Sequence, residues 1–406
     1  MSSLPKIAIV GAGAGGLTVA NILQKNQVPF TIYEIDASPN ERNQGGTLDL
    51  HPQGGQLALR EAGLWDEFTK HSRPESDVLK IVQNSGEVLW DGNGADARFV
   101  PEAEKFDHRP EIDRGALKEI LLASLSPSCI KWGKKLVEAV PAPSSSSEKY
   151  DLHFTDGSID KDFDLVIGAD GAWSKVRQLL TDTKPHYSGI SAVELWALDA
   201  DKTHPWVSQY AGRGSCFSFG EGRTIQIQRI GDGTIRTYAC LRKPESFLKD
   251  CGIDWTKPDT ARKEYVERYF NDCGTDLKRM ILESSDELVP RALYQLPVGF
   301  KWDPRPGVTL LGDAAHLMTP FAGVGVNAAM VDSLELAKAI ISAYPPKEET
   351  SLATAIKNYE LELFLRGERF ARKTMGNMQK HFSAKGSEEL AGKLRAAYGG
   401  GSGAAA

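Results

Sequence analysis

The chain has no long apolar run, no paired cysteines and no surplus of positive charge. No window approaches the roughly 18 apolar residues of a membrane span. The N-terminal run Ile7-Ala8-Ile9-Val10 stops at glycines, so it reads as a strand and not as the core of a leader. Cys129, Cys216, Cys240, Cys251 and Cys273 form no C-x-x-C pair and show no metal-ligand spacing. That argues against a redox dithiol and a metal site, and favours free, buried thiols in a reducing compartment. A formal net charge of −6 gives no electrostatic case for nucleic acid or an anionic membrane. What remains is an ordinary globular composition, 41% hydrophobic and 25% charged, over 406 residues. That length suffices for two domains or for one with a large insertion. A cytoplasmic monomer acting on a small molecule, without nucleic-acid, membrane or metal partners, is the expectation.

Two glycine-rich stretches dominate what is there. Gly11-Ala12-Gly13-Ala14-Gly15-Gly16 follows the strand Lys6–Val10 and opens a helix through about Gln24, and a second strand, Phe30–Glu34, completes a β-α-β unit. Gly11, Gly13 and Gly16 permit a tight turn, close approach of backbone to a pyrophosphate, and helix-on-strand packing. Glu34 ends the second strand, where it can accept hydrogen bonds from both ribose hydroxyls. A 2′-phosphate there would meet like charge, so FAD or NAD is expected at this turn, and not NADP.

The second stretch is Gly312-Asp313-Ala314-Ala315-His316, followed by Pro320 and Gly323-Val324-Gly325-Val326-Asn327. Asp313, after the strand Val308–Leu311, can hold the ribityl hydroxyls of a flavin. The helix that starts near Gly323, with Gly325 and Asn327 in its first turn, aims unpaired N–H groups at the pyrimidine end of the ring. Asp313 as a plain helix cap explains one residue and not the whole arrangement. Asp170-Gly171, after the buried strand Leu165–Gly168, is a further cofactor candidate, with a plain Asp-Gly turn as the alternative. Arg114 opens a helix and can reach the flavin chain. His316 sits inside a turn dominated by backbone geometry and receives no acid–base role. Met318 and Phe321, just past the flavin-facing turn, and Met375 are candidate substrate contacts.

The fold class expected is α/β: a Rossmann-like FAD-binding domain with an inserted sheet-rich substrate domain and a long C-terminal helix. Residues 1–73, 108–184 and 300–345 form the first domain; 74–107 and 185–299 form the second. Val78–Val82 and Val88–Trp90 read as a hairpin turned at Asn84-Ser85-Gly86. Strand 136–140 and Tyr150–Thr155 read as another. Short strands such as Ile225–Gln228 and Thr237–Cys240 build the substrate domain, with a helix near 259–272. Residues 346–385 carry a bridging helix whose buried stripe is Leu352, Ile356, Tyr359, Leu363, Phe370, Met378 and Phe382. Residues 386–406 are expected to be a flexible tail.

With these motifs in order, the chain resembles class A flavoprotein monooxygenases, the p-hydroxybenzoate hydroxylase group, and within it the TetX-like tetracycline destructases. The resemblance rests on Gly45-Gly46-Thr47-Leu48-Asp49-Leu50-His51, Pro110-Glu111-Ile112-Asp113-Arg114, Ser174-Lys175-Val176-Arg177, Gly312–Asn327 and Asn358-Tyr359-Glu360. It implies that Asp49, Arg114 and Asp313 bind FAD, and that Arg42 binds NADPH by clamping phosphate with its guanidinium. Glu34 is compatible with NADPH because the two nucleotides need not share a site. The resemblance fades between about 185 and 300. There Arg213 matches a shared arginine of the substrate site, while Glu194 and Arg236 stand where those enzymes use other polar residues.

The implied activity is FAD-dependent monooxygenation. NADPH reduces the flavin, O2 adds to form a C4a-hydroperoxide, and one oxygen passes to a planar aromatic or polyketide-like substrate, tetracycline among the candidates. No protein side chain is expected to be catalytic in its own right. The competing readings are a flavin halogenase or reductase, and a non-catalytic flavoprotein that sequesters a ligand. The Trp-x-Trp-x-Ile-Pro segment that halogenases need is not found, nor is a redox cysteine pair.

Overall fold

Strands without a polar face need cover on both sides, and two such strands lie at the centre of the first unit. A computed structural model describes residues 5–41, 45–143, 149–344 and 351–398. Its first unit comprises Met1–Ser72, Arg114–His186 and Tyr294–Thr374. The strands β1 (Ile7–Val10), β2 (Thr31–Tyr33), β3 (Ile130–Lys131), β4 (Leu165–Gly168) and β5 (Val308–Leu310) form a sheet in the order β5-β4-β1-β2-β3. All its neighbours run parallel. Every residue of β1 and β4 is buried. Helix α1 (Ala14–Lys25) packs against α2 (Arg114–Ala123) and α3 (Gly325–Ser342).

Register is what positions the site. Val10 pairs with Gly168, and Gly168 with Leu310, so three adjacent strands end level and release their following turns at one edge. Open α/β sheets bind ligands just beyond such carboxyl ends.

Beside this sheet the sequence suggests a two-stranded hairpin, whereas the structure has three antiparallel strands, Leu136–Pro141, Tyr150–Phe154 and Ile159–Phe163. The third, Ile-Asp-Lys-Asp-Phe, lacks alternation because its register shifts between Asp160 and Phe163, with Asp162 at φ 62°.

The second unit comprises Arg73–Asp113, Tyr187–Leu293 and Met375–Ala406. Its sheet has seven strands, in the order Glu287–Gln295, His186–Ala197, Ile235–Arg242, Arg223–Arg229, Ser215–Gly220, Leu79–Gln83 and Val88–Asp91. One face carries Val193, Leu195, Ile225, Ile227, Ile235 and Ala239 into a core with Tyr265, Phe270, Leu277 and Met280. The last four lie on or beside the helices Pro258–Tyr269 and Thr275–Glu283. On alternate positions of the same strands stand Glu194, Gln226 and Arg236. Arg236 lies 2.9 Å from Glu194, and its guanidinium sits 3.6 Å from the Trp196 ring centroid.

Helix α4 runs Leu352–His381. Ile356, Tyr359, Leu363, Met378 and Phe382 of the expected stripe are buried, while Leu352 and Phe370 are half-buried. The division between the units falls within it, between Thr374 and Met375.

Residues 386–398, expected as part of a flexible tail, instead form a helix, Gly386–Tyr398. Ser387 Oγ donates to Val82 O at 2.9 Å and accepts from Phe219 N at 2.9 Å. Ala391 is buried with Ile81 and Trp90. These partners lie some 170 to 300 residues earlier, so local composition gives no hint of them. Residues 399–406 lie outside the described residues. All five cysteines are free. Among the described residues, no helix is long and apolar enough to cross a membrane.

Candidate cofactor site

The first glycine turn is dictated by backbone crowding. Gly11 has φ 107°, and a Cβ there would lie 2.3 Å from Ala169 O; a Cβ on Gly16 would lie 2.1 Å from Gly11 O. At Gly13 a Cβ would meet nothing within 4 Å, so that glycine leaves room and does not serve packing. Helix α1 begins there with no side-chain cap and no acid in its first turn. Its first N–H groups and its dipole are therefore available to an anion.

Glu34 is buried, and its carboxylate ties β2 to this turn. Oε2 accepts from Ala12 N at 2.5 Å and Oε1 from Asp36 N at 3.0 Å.

The turn after β5 opens with Gly312 at φ 58° and continues into the short helix Asp313–His316. The Asp313 side chain is solvent-accessible yet recessed in surrounding protein. That surrounding raises its pKa, against the opposing pull of His316, Arg114 and Arg177. Arg177 stitches two turns together: Nη1 donates to Ala314 O at 3.0 Å and Nη2 to Ala172 O at 2.7 Å. Burial draws its pKa down, with Asp170 and Asp313 opposing.

Asp170 spends its carboxylate on its own loop, accepting from Ser174 Oγ, from Lys175 N at 2.7 Å and from Val176 N at 3.2 Å. Burial pushes its pKa up. Its visible task is to shape the turn that delivers Arg177.

Helix α3 starts at Gly325, where a Cβ would meet nothing within 4 Å, and it too lacks a side-chain cap and a first-turn acid. Asn327 clamps a distant loop. Its Oδ1 accepts from His51 N at 2.8 Å and Gly55 N at 3.0 Å, and its Nδ2 donates to Asp49 O at 2.8 Å. The Asp49 carboxylate thereby lies 3.0 Å from His51 Nε2 and beside Gly323, where a Cβ would be 3.3 Å from Oδ1. Arg114 is exposed at the start of α2, anchored by its N–H to Gly46 O at 3.1 Å. Arg42 lies outside the described residues.

Of the substrate candidates, Met318 and Phe321 belong to the first unit and Arg213 and Met375 to the second. Phe321 is buried, Met318 is half-buried with Thr374 Oγ1 3.6 Å from its sulfur, and Arg213 is exposed.

Sequence reasoning missed the roles of several supports, although Tyr359 and Glu360 stood in a motif it named. A Cβ on Gly15 would strike Leu311 Cδ1 at 2.6 Å, and Ser333 Oγ of α3 donates to Gly15 O at 2.8 Å. Tyr359 and Glu360 of α4 hold β5, Tyr359 through its hydroxyl to Leu310 O at 2.9 Å. Glu360 Oε1 accepts from Thr309 Oγ1 at 2.8 Å and Trp302 Nε1 at 3.0 Å. Its Oε2 is buried with no hydrogen-bond partner among the described residues.

Burial raises the Glu360 pKa to about 7. The unfolded chain releases this proton near pH 4.5 while the folded chain keeps it, so stability falls as pH rises from about 4.5 to about 7 and is level above. The loss is on the order of 3 kcal/mol. Glu360→Gln, which keeps an acceptor for Thr309 and Trp302, should flatten that part of the profile in paired urea melts. Parallel profiles for the two proteins would contradict the assignment.

The geometry suits FAD: an open glycine at one uncapped helix, a second uncapped helix, and an accessible carboxylate between them in sequence. Residues 5–219 and 299–372 match the family model described as FAD binding domain. The chain belongs to this FAD-binding family. It is 30% identical to the Monooxygenase asqM of Emericella nidulans, over 95% of this chain and 97% of that one. In fold it is similar to Klebsiella pneumoniae HpxO complexed with FAD and uric acid, with a TM-score of 0.75, 19% identity, and 98% and 94% of the two chains covered. The tetracycline destructase Tet(55) is similar at a TM-score of 0.70 and 17% identity, with 98% and 96% covered. The protein is an FAD-dependent monooxygenase of class A type. The resemblance to class A flavoprotein monooxygenases read from its motifs stands.

Proposed function

We propose that this monooxygenase draws its electrons from NADPH and places one oxygen atom of O2 on a planar aromatic or polyketide-like small molecule. The observation that carries the reading is the level ending of β1, β4 and β5, which gathers the Gly11, Asp170 and Gly312 turns at one sheet edge. When bound there, FAD supplies the oxygen chemistry, and the chain supplies placement, electrostatics and exclusion of water.

The N-terminus of α1 would take the pyrophosphate, Glu34 the adenosine ribose, and Asp313 the ribityl chain. The uncapped N-terminus of α3 would face the pyrimidine edge, where its partial positive charge favours the anion of reduced flavin. Arg42 is the candidate for the NADPH phosphate, on the family resemblance alone. HpxO, similar in fold, is complexed with uric acid, a planar fused ring.

The test is NADPH oxidation and O2 uptake by the FAD-loaded chain with uric acid, simple phenols and tetracycline. One of these should raise both rates above the ligand-free background. No response to any of them, with flavin bound, would defeat the proposal. Arg42→Ala should raise the KM for NADPH without loss of FAD; an unchanged KM removes Arg42 from the cofactor path.

A further inference from the structure

Behind the Gly312 turn lies a charged cluster that the proposed cofactor contacts do not use. Asp332 of α3 is wholly buried. Its Oδ2 accepts from Gly312 N at 3.0 Å and from His316 Nε2. Its Oδ1 accepts from Arg366 Nε at 3.0 Å and Nη2 at 2.8 Å. Four donors thus fill the four acceptor positions of one carboxylate.

The imidazole fits because α4 carries Gly367 at this point, where a Cβ would lie 3.3 Å from His316 Cβ and Cδ2. His316 is 7% exposed, and its Nδ1 is buried with no hydrogen-bond partner among the described residues. An ionised Asp332 can only accept, so Nε2 carries a hydrogen and Nδ1 is the atom that gains or loses a proton.

Asp332 and Arg366 cancel in charge, so the state of Nδ1 decides whether the support behind the turn is neutral or cationic. The charged and titratable groups around it come from every packed element. Asp332 and Glu335 lie on α3, Arg366 and Tyr359 on α4, Arg177 follows β4, and Asp313 shares its turn with Arg114 acting on it from α2. Burial opposes charging of His316, but Asp332 and then Asp313 outweigh it and shift its pKa upward. For Asp332 the balance is reciprocal: burial would raise its pKa, and His316 and Arg366 hold it below the ordinary value. The Asp313 pKa is in turn drawn down by His316 more than by either arginine.

We propose that His316 is a positioning residue for the cofactor: as an imidazolium fixed on Asp332, which also holds Gly312 N, it keeps the Gly312 turn and the Asp313 carboxylate on it seated, and its positive charge favours the anionic nucleotide, so FAD affinity follows its protonation. This rests on Asp313 meeting the flavin. The residue has no part in moving protons to substrate. Its charge sits at the end of the same short helix as the accessible Asp313, and α3 and α4 hold it there through Asp332 and Gly367.

Linkage makes this measurable on the flavin-stripped full chain. Binding of FAD, followed by quenching of its fluorescence, should weaken about tenfold as pH is raised beyond the ordinary histidine range and the imidazole loses its proton. His316→Gln keeps a donor to Asp332 but cannot charge. It should show the weaker affinity throughout, with no step. A step of wild-type size in His316→Gln would overturn the proposal.

A second readout needs no variant. Calorimetry of FAD binding in two buffers of unlike ionisation enthalpy should show proton uptake across the pH range of the affinity step, and none anywhere in that range would be equally fatal. Asp313→Ala separates the inference from its premise. If that variant binds FAD normally, the placement of Asp313 is wrong. If it loses FAD while the wild type shows no step, only the role of His316 is.

Discussion

Asp313→Ala should purify almost colourless, with FAD binding weakened by about 10- to 100-fold, the range expected when a charged hydrogen-bond acceptor is lost. The carboxylate is accessible and accepts no hydrogen bond among the described residues, so its removal breaks nothing in the fold. Its neighbours Arg114, Arg177 and His316 would then lack one of their counter-charges, though Asp332 still faces His316 and Asp170 still acts on Arg177. These cations still attract an anionic nucleotide, which sets a floor under the loss. Asp313→Asn keeps a carbonyl acceptor and should fall between wild type and alanine. The checks are the ratio of flavin to protein absorbance after purification, the FAD dissociation constant, and an unchanged far-ultraviolet circular dichroism spectrum. An alanine variant that retains one tightly held flavin per chain would place the cofactor's hydroxyls elsewhere.

Why this site was legible in the sequence at all comes down to where its constraints act. Gly11 is fixed by its φ of 107° and Gly16 by its own turn, where a Cβ would lie 2.1 Å from Gly11 O, and only glycine satisfies both. Such a constraint writes itself locally, as does the buried run of β1 that precedes it. The turn at Gly312 and Asp313 is readable for the same reason.

Asp170 shows the limit of that reading. Its Asp-Gly signature is equally that of a turn, and its carboxylate is held by Ser174, Lys175 and Val176 of its own loop. Arg177, the residue that loop serves, stood in a motif that was recognised, but nothing local announced that it would cross to Ala314.

Long-range supports left fainter traces. Asn327 reads as the first turn of a helix, yet its side chain is spent on a loop more than 270 residues earlier. The helix Gly386–Tyr398 is fixed by a serine bonded to strands that no local periodicity names. Asp332 left only a partial sign, since it follows the apolar run Ala328-Ala329-Met330-Val331 but shares its helix with a second acid, Glu335, and nothing local marks which of the two is buried. A lone buried acid calls for a cation. Which cation could not be read, because Arg366 lies in a helix crowded with Glu and Arg.

Asp332→Ala is expected to be the most damaging single change in the first unit. It would leave the Arg366 guanidinium and His316 without their counter-charge and the Gly312 N–H without its acceptor. Removing one partner from a buried ion cluster costs about 3–5 kcal/mol, because the remaining charge stays desolvated. In a unit of this size that lowers Tm by roughly 10 °C. Asp332→Asn should do nearly as much harm, since an amide offers the right shape but no charge and turns a donor toward donors. The informative comparison is the pair Asp332→Leu with Arg366→Met. Taking both charges out together relieves the desolvation that either single change exposes, so the double variant should be more stable than the sum of the singles predicts. Thermal melts of the four proteins measure that coupling directly. If Asp332→Ala shifts the melt no more than a surface substitution, within about 0.5 kcal/mol, the cluster does not hold the turn, and the flavin edge of the sheet owes its shape to β5 and Tyr359 alone.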